Sequence, residues 1–196
     1  YPQIWGIDSP KRSMLIGQLC HIFDLVQYFG GRAKTVHAMY HEVTPTQFAY
    51  IVNVRFASGC IGQLDVNSLE CKTGFRDIIE ELQLVGFETH IVCEDMLTLR
   101  WQDREDFTKA VPRAGRYLHT FSPAWTGIGN SRMTFGYYGE VRHFALRCLG
   151  EVAGGPDLWD SYWSLRLGEA VYESAETGRV VEIPEAGEPA PTKAAT

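Results

Sequence analysis

The sequence predicts an α+β domain in which a largely antiparallel open sheet carries helices packed on one face. Segments of alternating apolar and polar residues follow one another between tight turns, as consecutive antiparallel strands do. Apolar residues at spacings of three and four, typical of helices buried along one side, occur before and after these segments. The expected order is therefore one helix, a run of strands, two helices and a short strand.

The opening helix is predicted over residues 14–31, after an irregular lead-in at residues 1–13 in which Ser9-Pro10 suits a turn or a helix start. Gly30-Gly31 ends the helix. Its core-facing side is a stripe of residues three and four apart: Leu15, Leu19, Ile22, Val26 and Phe29.

Five strands are predicted next, over residues 34–42, 47–57, 60–69, 77–86 and 89–100. The second strand has the strongest alternation, with Phe48, Tyr50, Val52, Val54 and Phe56 on one side. Its other side still carries Ala49 and Ile51. Because this second side is also partly apolar, we expect it to be buried against another subunit or domain.

The second half of the chain begins with residues 102–136, where prolines and glycines break any long element, so a functional loop or an inserted arm is expected. Helices are predicted over residues 137–150 and 158–176, the latter with Asp157 as N-cap and Gly178 after its end. A short strand follows at 180–183. We expect one domain over residues 1–183 and a disordered tail rich in Pro, Ala, Gly and Glu at 184–196.

Composition and charge limit the function classes. The net charge is −6 without a basic run, which disfavours nucleic acid and anionic membrane as partners. No apolar segment approaches the roughly 20 residues of a membrane span. Five cysteines at wide spacings, without a Cys-x-x-Cys pair, disfavour a disulfide framework or zinc site and favour a reducing cytoplasm. Because the chain begins at Tyr1, we expect a fragment, a processed product or a trimmed chain.

Motif searches give no self-contained catalytic machinery. The sequence lacks a Gly-x-Gly-x-x-Gly fingerprint, a P-loop, a Gly-x-Ser-x-Gly elbow and a His-Glu-x-x-His pair. His37 and His41 would lie roughly 13 Å apart in a strand, too far to share a metal ion. We therefore expect neither a cofactor site nor a metal site on this chain.

Two polar residues on the apolar opening helix form the candidate site. His21 and Asp24 are three positions apart and share a helix face. Either they form a satisfied structural contact or they face a site, where an imidazole that titrates near neutral pH could move a proton. Lys11 and Arg12 are likewise either solvated charges or the binding groups for an anionic ligand at a helix N-terminus.

Three blocks together resemble the C-terminal domain of the Gfo/Idh/MocA oxidoreductases, over about residues 14–183. The first is His21-Ile-Phe-Asp24-Leu-Val-Gln-Tyr-Phe-Gly30 with Thr35-Val-His-Ala after it. The second, Leu82-Gln-Leu-Val-Gly86, is similar to the central hairpin of the family. The third runs from Tyr138-Gly-Glu140 through Asp160 to the closing Ser174-Ala-Glu-Thr-Gly178-Arg-Val-Val-Glu-Ile183.

The resemblance implies the second half of a two-domain enzyme. An N-terminal Rossmann domain, absent from this chain, would bind NAD or NADP. The domain seen here would supply the substrate-facing wall and form homo-oligomers through its open sheet face. Substrates would be sugars, cyclitols or similar alcohols, oxidised by hydride transfer at a carbinol carbon while a side chain moves the hydroxyl proton.

His21 matches the catalytic histidine of the family, but the aspartate expected four residues before it is Gly17 here. The resemblance therefore implies that His21 handles the proton or binds a substrate hydroxyl, and that Asp24 orients it or fixes the helix. Gln18 and Lys11 are expected ligand contacts. The alternative, which Gly17 favours, is a non-catalytic self-associating module or a pseudoenzyme.

Overall fold

The computed structural model describes residues 9–44, 47–69, 81–94, 98–102, 119–121 and 136–185. The predicted lead-in up to residue 8, most of the predicted loop at 102–136 and the tail from residue 186 lie outside them. Within the described ranges the chain forms these elements: α1 Pro10–Gly17, α2 Cys20–Gly30, β1 Ala33–Thr44, β2 Gln47–Phe56, β3 Ile61–Asn67, β4 Glu81–Gly86, β5 Thr89–Glu94, β6 Thr98–Gln102, β7 His119–Phe121, α3 Tyr137–Cys148, α4 Leu158–Thr177 and β8 Val181–Glu182.

The chain divides into two compact units, Tyr1–Glu70 with Pro156–Thr196, and Cys71–Gly155. The first unit contains a four-stranded antiparallel sheet in the order β3-β2-β1-β8. The predicted strands 34–42, 47–57 and 60–69 correspond to β1, β2 and β3. The predicted α+β class with antiparallel sheets is confirmed.

One face of this sheet, the inner face, is buried under helices α1, α2 and α4. The predicted side of β2 is entirely buried, and β1 contributes Val36 and Ala38 to the same core. Phe23 of α2 and Leu167 of α4 pack against these strands within the same cluster. The helices and the inner face thus form one hydrophobic core.

The predicted opening helix is in fact two helices joined by an elbow at Gln18 and Leu19. The amide groups of both elbow residues donate to the carbonyl of Met14 at 3.0 Å, which ends α1. The amide of Phe23 then donates to the Leu19 carbonyl at 2.9 Å and starts α2. The first helix also begins earlier than predicted, at Pro10, with the hydroxyl of Ser9 accepting from the Arg12 amide.

Helix α4 is fixed at both ends by contacts that the sequence partly predicts. Asp157 is the N-cap, as predicted, and forms a reciprocal capping box with Asp160. Gly178 ends the helix with φ +65°, a left-handed conformation that glycine adopts without strain. Near this end the buried Ser174 hydroxyl accepts from the Ala38 amide at 2.9 Å and donates to the Arg179 carbonyl.

The second unit contains a four-stranded antiparallel sheet in the order β4-β5-β6-β7, together with α3. The strand predicted over residues 89–100 is two strands, β5 and β6, which pair with each other from His90–Gln102 to Glu94–Thr98. The short β7 was not predicted. Helix α3 lies where the sequence predicts it, yet none of its residues is buried.

Candidate functional site

The α1–α2 elbow positions three of the four predicted site residues. Gln18 lies in the elbow itself, and His21 and Asp24 lie in the first turns of α2. All three side chains are exposed to solvent. The break between the helices therefore puts His21 near the start of a helix, rather than in the middle of the single long helix that the sequence predicts.

The imidazole of His21 forms no hydrogen bond or ion pair with any residue in the part of the chain that the structure describes. Asp24 is held instead by α4, because its Oδ1 lies 3.4 Å from the hydroxyl of Ser164. That hydroxyl, on a side chain only 3% exposed, also lies 3.0 Å from the Asp160 carbonyl oxygen. Asp24 thus connects two helices, while the imidazole of His21 remains available to a ligand.

Lys11 lies apart from the elbow and is already engaged. Its Nζ forms an ion pair with Glu176 of α4. The ammonium group also lies 4.7 Å from the ring centroid of Tyr40. The neighbouring Arg12 makes a two-pronged ion pair with Glu169. In this conformation both cations tie α1 to α4.

Two further residues, Ser164 of α4 and Arg32 in the turn after α2, connect these parts of the first unit and are not marked by any sequence pattern. The guanidinium of Arg32 lies over the ring of Trp163, 5.0 Å from its centroid. It also lies 3.7 Å from Asp160 Oδ1. The Asp157-x-x-Asp160 spacing was an available signal for the cap. No local pattern links Arg32 to a residue 128 positions later in the chain.

Cys20, next to His21, is a structural thiol. Burial raises the pKa of the Cys20 thiol, and the negative charge of Asp24 adds a smaller upward contribution. Its sulfur lies 3.8 Å from the Gly17 carbonyl oxygen, which it approaches as a weak donor. A raised pKa lowers the fraction of thiolate, which is the nucleophilic form of a cysteine.

The opposite, outer face of the first sheet has a different chemistry. A depression of about 520 Å³, which we call the outer-face depression, is lined by residues of β1, β2 and β3, including Thr35, His37, Arg55 and Ile61, and by Val180 just before β8. Because α2 packs on the inner face, this depression is not part of the His21 site.

The described residues lack the βαβ unit of the dinucleotide-binding fold. Every strand pairing in the described ranges is antiparallel, whereas the dinucleotide fingerprint joins parallel strands through a helix. Within the same ranges no three His, Cys, Asp or Glu side chains are grouped to hold a metal ion. None of the helices described is long and apolar enough to cross a membrane.

The family of the chain is established by its match to a family model. Residues 3–183 match the model of the oxidoreductase family's C-terminal alpha/beta domain. The chain belongs to the Gfo/Idh/MocA oxidoreductases. Within that family it corresponds to the C-terminal domain, as the resemblance in its sequence implied. No curated protein matches it in sequence.

Solved structures of dehydrogenases share this fold. A dehydrogenase from Chromobacterium violaceum has a TM-score of 0.70 and 19% identity, over 90% of this chain and 49% of its own. Levoglucosan dehydrogenase in complex with NADH has a TM-score of 0.69 and 18% identity, over 93% and 56%. The WlbA dehydrogenase from Bordetella pertussis, in complex with NADH and UDP-GlcNAcA, has a TM-score of 0.56 and 16% identity, over 88% and 45%.

The present chain thus spans about half the length of the family members whose structures it matches. At these identities the likeness establishes the fold alone.

Proposed function

We propose that this chain is the substrate-binding and oligomerisation domain of an NAD- or NADP-dependent oxidoreductase that acts on a sugar, cyclitol or similar alcohol by hydride transfer. The observation that carries the proposal is the exposed imidazole of His21 at the start of α2, which contacts no polar group among the described residues. Membership of the oxidoreductase family supports it. So do the relatives solved with NADH and with levoglucosan or UDP-GlcNAcA.

In this proposal His21 takes up or gives back the proton of the substrate hydroxyl. An imidazole suits this role because its protonation changes near neutral pH without a large environmental shift. Since Gly17 replaces the expected aspartate, His21 works without a carboxylate on the preceding turn. Asp24 acts as a positioning residue, because its contact with Ser164 fixes α2 against α4.

The two proposed ligand contacts differ in availability. Gln18 is exposed in the elbow, one turn before His21, and its amide can bind a second hydroxyl of a polyol. Lys11 reaches a ligand only if it leaves its ion pair with Glu176, so we assign it a peripheral contribution at most. The described residues lack the βαβ unit that binds nicotinamide dinucleotides in Rossmann folds, so we expect the parent polypeptide or a partner to provide the cofactor site.

The partner proposed for the open sheet face is a second copy of the chain. Its outer side exposes large apolar residues, among them Met39 and Ile61. Solvent-exposed apolar groups on a sheet face are typical of an interface. Cys20, Cys60 and Cys148 form no disulfide within the described ranges, which fits the proposed cytoplasmic location.

The test is turnover by the full polypeptide that contains this chain, with NAD and NADP, on levoglucosan and myo-inositol. We expect oxidation of at least one alcohol, and a roughly 100-fold or greater loss in kcat for His21→Ala. His41→Ala is the matched control, because His41 is exposed at the far end of β1. Absence of nicotinamide binding in titration would contradict the proposal.

The second candidate is a non-catalytic self-associating module or a pseudoenzyme, and the observation that favours it is Gly17. Both candidates expect association in sedimentation experiments. Only the first expects His21→Ala to remove turnover. Full activity of that variant would therefore exclude the catalytic role of His21, and a parent that binds cofactor but never turns over would favour the pseudoenzyme.

A further inference from the structure

The outer-face depression is formed by side chains from two neighbouring rows of paired residues on the first sheet. Each row crosses three strands: Ile61, Arg55 and Thr35 form one, and Gln63, Asn53 and His37 form the next. Opposite residues in a row have Cβ atoms about 5 Å apart, and the two rows are about 7 Å apart. The polar side chains of these rows therefore lie close enough together for one small molecule to contact several of them.

The hydrogen-bonding groups of the depression are not used within the described part of the chain. Five polar side chains line it, and none of them forms a hydrogen bond or an ion pair with another described residue: Thr35, His37, Asn53, Arg55 and Gln63. On the helical side of the same sheet, by contrast, the guanidinium of Arg12 is paired with Glu169. Arg55 thus keeps its full set of N–H donors for a ligand.

The charge of the depression is opposite to that of the whole chain. The chain has 24 acidic and 18 basic residues. The described residues that line the depression include Arg55 and His37 but no aspartate or glutamate. In the register, Glu182 and Asp65 lie just beyond the lining, next to Thr35 and two residues after Gln63. A locally basic depression in an acidic chain favours a small anion as its ligand.

We propose that the outer-face depression binds a small carboxylic acid that carries hydroxyl groups, such as a sugar acid. The planar guanidinium of Arg55 binds the carboxylate through two parallel N–H donors. The carboxamides of Asn53 and Gln63 both donate and accept hydrogen bonds, as the hydroxyl groups of such a ligand require. Ile61 and Val180, both well exposed, lie at opposite edges of the depression and contact the C–H groups of the ligand.

This site is distinct from the candidate site at the α1–α2 elbow and does not rest on the proposed function. The depression lies on the sheet face opposite α2, so its ligand does not reach the imidazole of His21. Its volume of about 520 Å³ is within the range of small-molecule sites. Because it is open to solvent, it covers only part of a ligand, and we expect a dissociation constant of about 0.1–10 mM.

Isothermal titration calorimetry with sodium gluconate tests the site on the full polypeptide that contains this chain. We expect Arg55→Gln to weaken gluconate binding at least about tenfold, because it removes charge-assisted hydrogen bonds to the carboxylate. Asn53→Ala should weaken it about three- to tenfold through the loss of a neutral hydrogen bond. Arg142→Gln, at an exposed position of α3, removes the same charge elsewhere and should leave the affinity within about threefold.

Three further ligands test the chemical class. Acetate lacks the hydroxyl groups and glucose lacks the charge, so each should bind at least about tenfold more weakly than gluconate. Tighter binding of glucose 6-phosphate than of gluconate would overturn the carboxylate as the recognised group. Equal binding of acetate and gluconate would overturn the role of the carboxamides.

His21→Ala separates the two sites. It should leave gluconate binding within about threefold, since the imidazole lies on the other side of the sheet. Binding that is lost in His21→Ala but kept in Arg55→Gln would place the ligand at the elbow and overturn the proposal. Turnover is measured separately, so failure of the proposed catalytic role does not affect this result. Circular dichroism checks that each variant remains folded.

The second copy proposed for this sheet face makes the chain concentration a necessary variable. The titration is therefore run below and above the concentration at which sedimentation shows association. An affinity that changes with association means that ligand and second copy share the face, and a constant affinity means that the depression stays open. Both results support the site, whereas no gluconate binding at either concentration overturns it.

Discussion

Helices α3 and α4 carry apolar residues at the same helical spacing, but only α4 buries them. In α4, Leu167 and Val171 are completely buried against the first sheet. In α3, Val141 and Phe144 both have about two thirds of their surface exposed, and no residue is buried. An apolar stripe therefore predicts a helix and its orientation, but the partner of the stripe depends on segments far away in the chain.

The N-termini of the two helices also differ in how well they are capped. Asp157 and Asp160 cap the first turn of α4 with side-chain hydrogen bonds. Helix α3 begins after Gly136, which has φ +77° and offers no side-chain cap. The better-capped helix is also the one that tertiary contacts stabilise, so local and global preferences agree in α4.

The largest expected effect on stability comes from shortening a buried side chain of α4. Leu167→Ala should lower the free energy of unfolding by about 2–5 kcal/mol, because it leaves a cavity beneath α4. Leu149→Ala is the matched variant beside α3, where 71% of the residue is exposed, and should change it by less than about 0.5 kcal/mol. Urea unfolding of both variants measures the difference, and equal losses would mean that α3 is covered in solution.

Ser174→Ala should have the next largest effect. It removes the acceptor of the Ala38 amide and the donor to the Arg179 carbonyl, both near the junction of α4 with β1. Leaving the amide of the buried Ala38 without a partner should cost about 1–3 kcal/mol. Thr177→Ala is the control, since its exposed hydroxyl donates only to the Glu173 carbonyl one turn before. Should both variants lose equally, the Ser174 contacts would not stabilise the junction.

A smaller effect is expected at the cap. Asp157→Ala should cost about 1 kcal/mol, because the amides of Trp159 and Asp160 lose their acceptor. Asp157→Asn keeps an acceptor oxygen and should retain most of the stability. Thermal unfolding followed by circular dichroism distinguishes the two, and an Asn variant as unstable as Ala would assign the effect to charge rather than to hydrogen bonding.

The sequence predicts those parts of the fold that depend on local pattern. Strict alternation in β2 predicts its buried side correctly because the side-chain period of a strand is two. The α1–α2 elbow escapes prediction because the apolar stripe continues from Leu15 through Leu19 to Val26 without interruption. Only Gly17, a residue of low helix propensity, marks the break.

The candidate site likewise has one part that a local sequence pattern predicts and one part that depends on residues far away in the chain. His21 and Asp24 can be singled out from the sequence, since a polar pair on an apolar helix is conspicuous. The hydroxyl that holds Asp24 belongs to Ser164, 140 residues away, and no local pattern points to it. The ion pair of Lys11 with Glu176 also joins residues far apart in the chain. A lysine near a helix start gives the same sequence pattern whether it binds a ligand or another helix.

The smallest expected effect on stability comes from Tyr50, whose side chain lies in the hydrophobic core of the first unit. Its hydroxyl is buried among the rings of Tyr40 and Phe48 and has no hydrogen-bond partner among the residues that the structure describes. Tyr50→Phe removes that unpaired group and keeps the ring, so the free energy of unfolding near neutral pH should stay unchanged or rise by up to about 1 kcal/mol. Tyr28→Phe, at a solvent-exposed ring, should change nothing. A loss above about 1 kcal/mol for Tyr50→Phe would mean that the hydroxyl has a partner in solution.

Unfolding measured at alkaline pH gives a second test of Tyr50. Burial raises the pKa of Tyr50, and burial together with Glu42 raises the pKa of Tyr40. The folded state therefore keeps phenolic protons that the unfolded state releases above about pH 10, so stability is complete below that pH and falls as the pH rises further. Tyr50→Phe removes one of the two groups and should make the fall shallower, while Tyr40 keeps it from disappearing. An unchanged slope would show that Tyr50 ionises as readily in the folded chain as in the unfolded one.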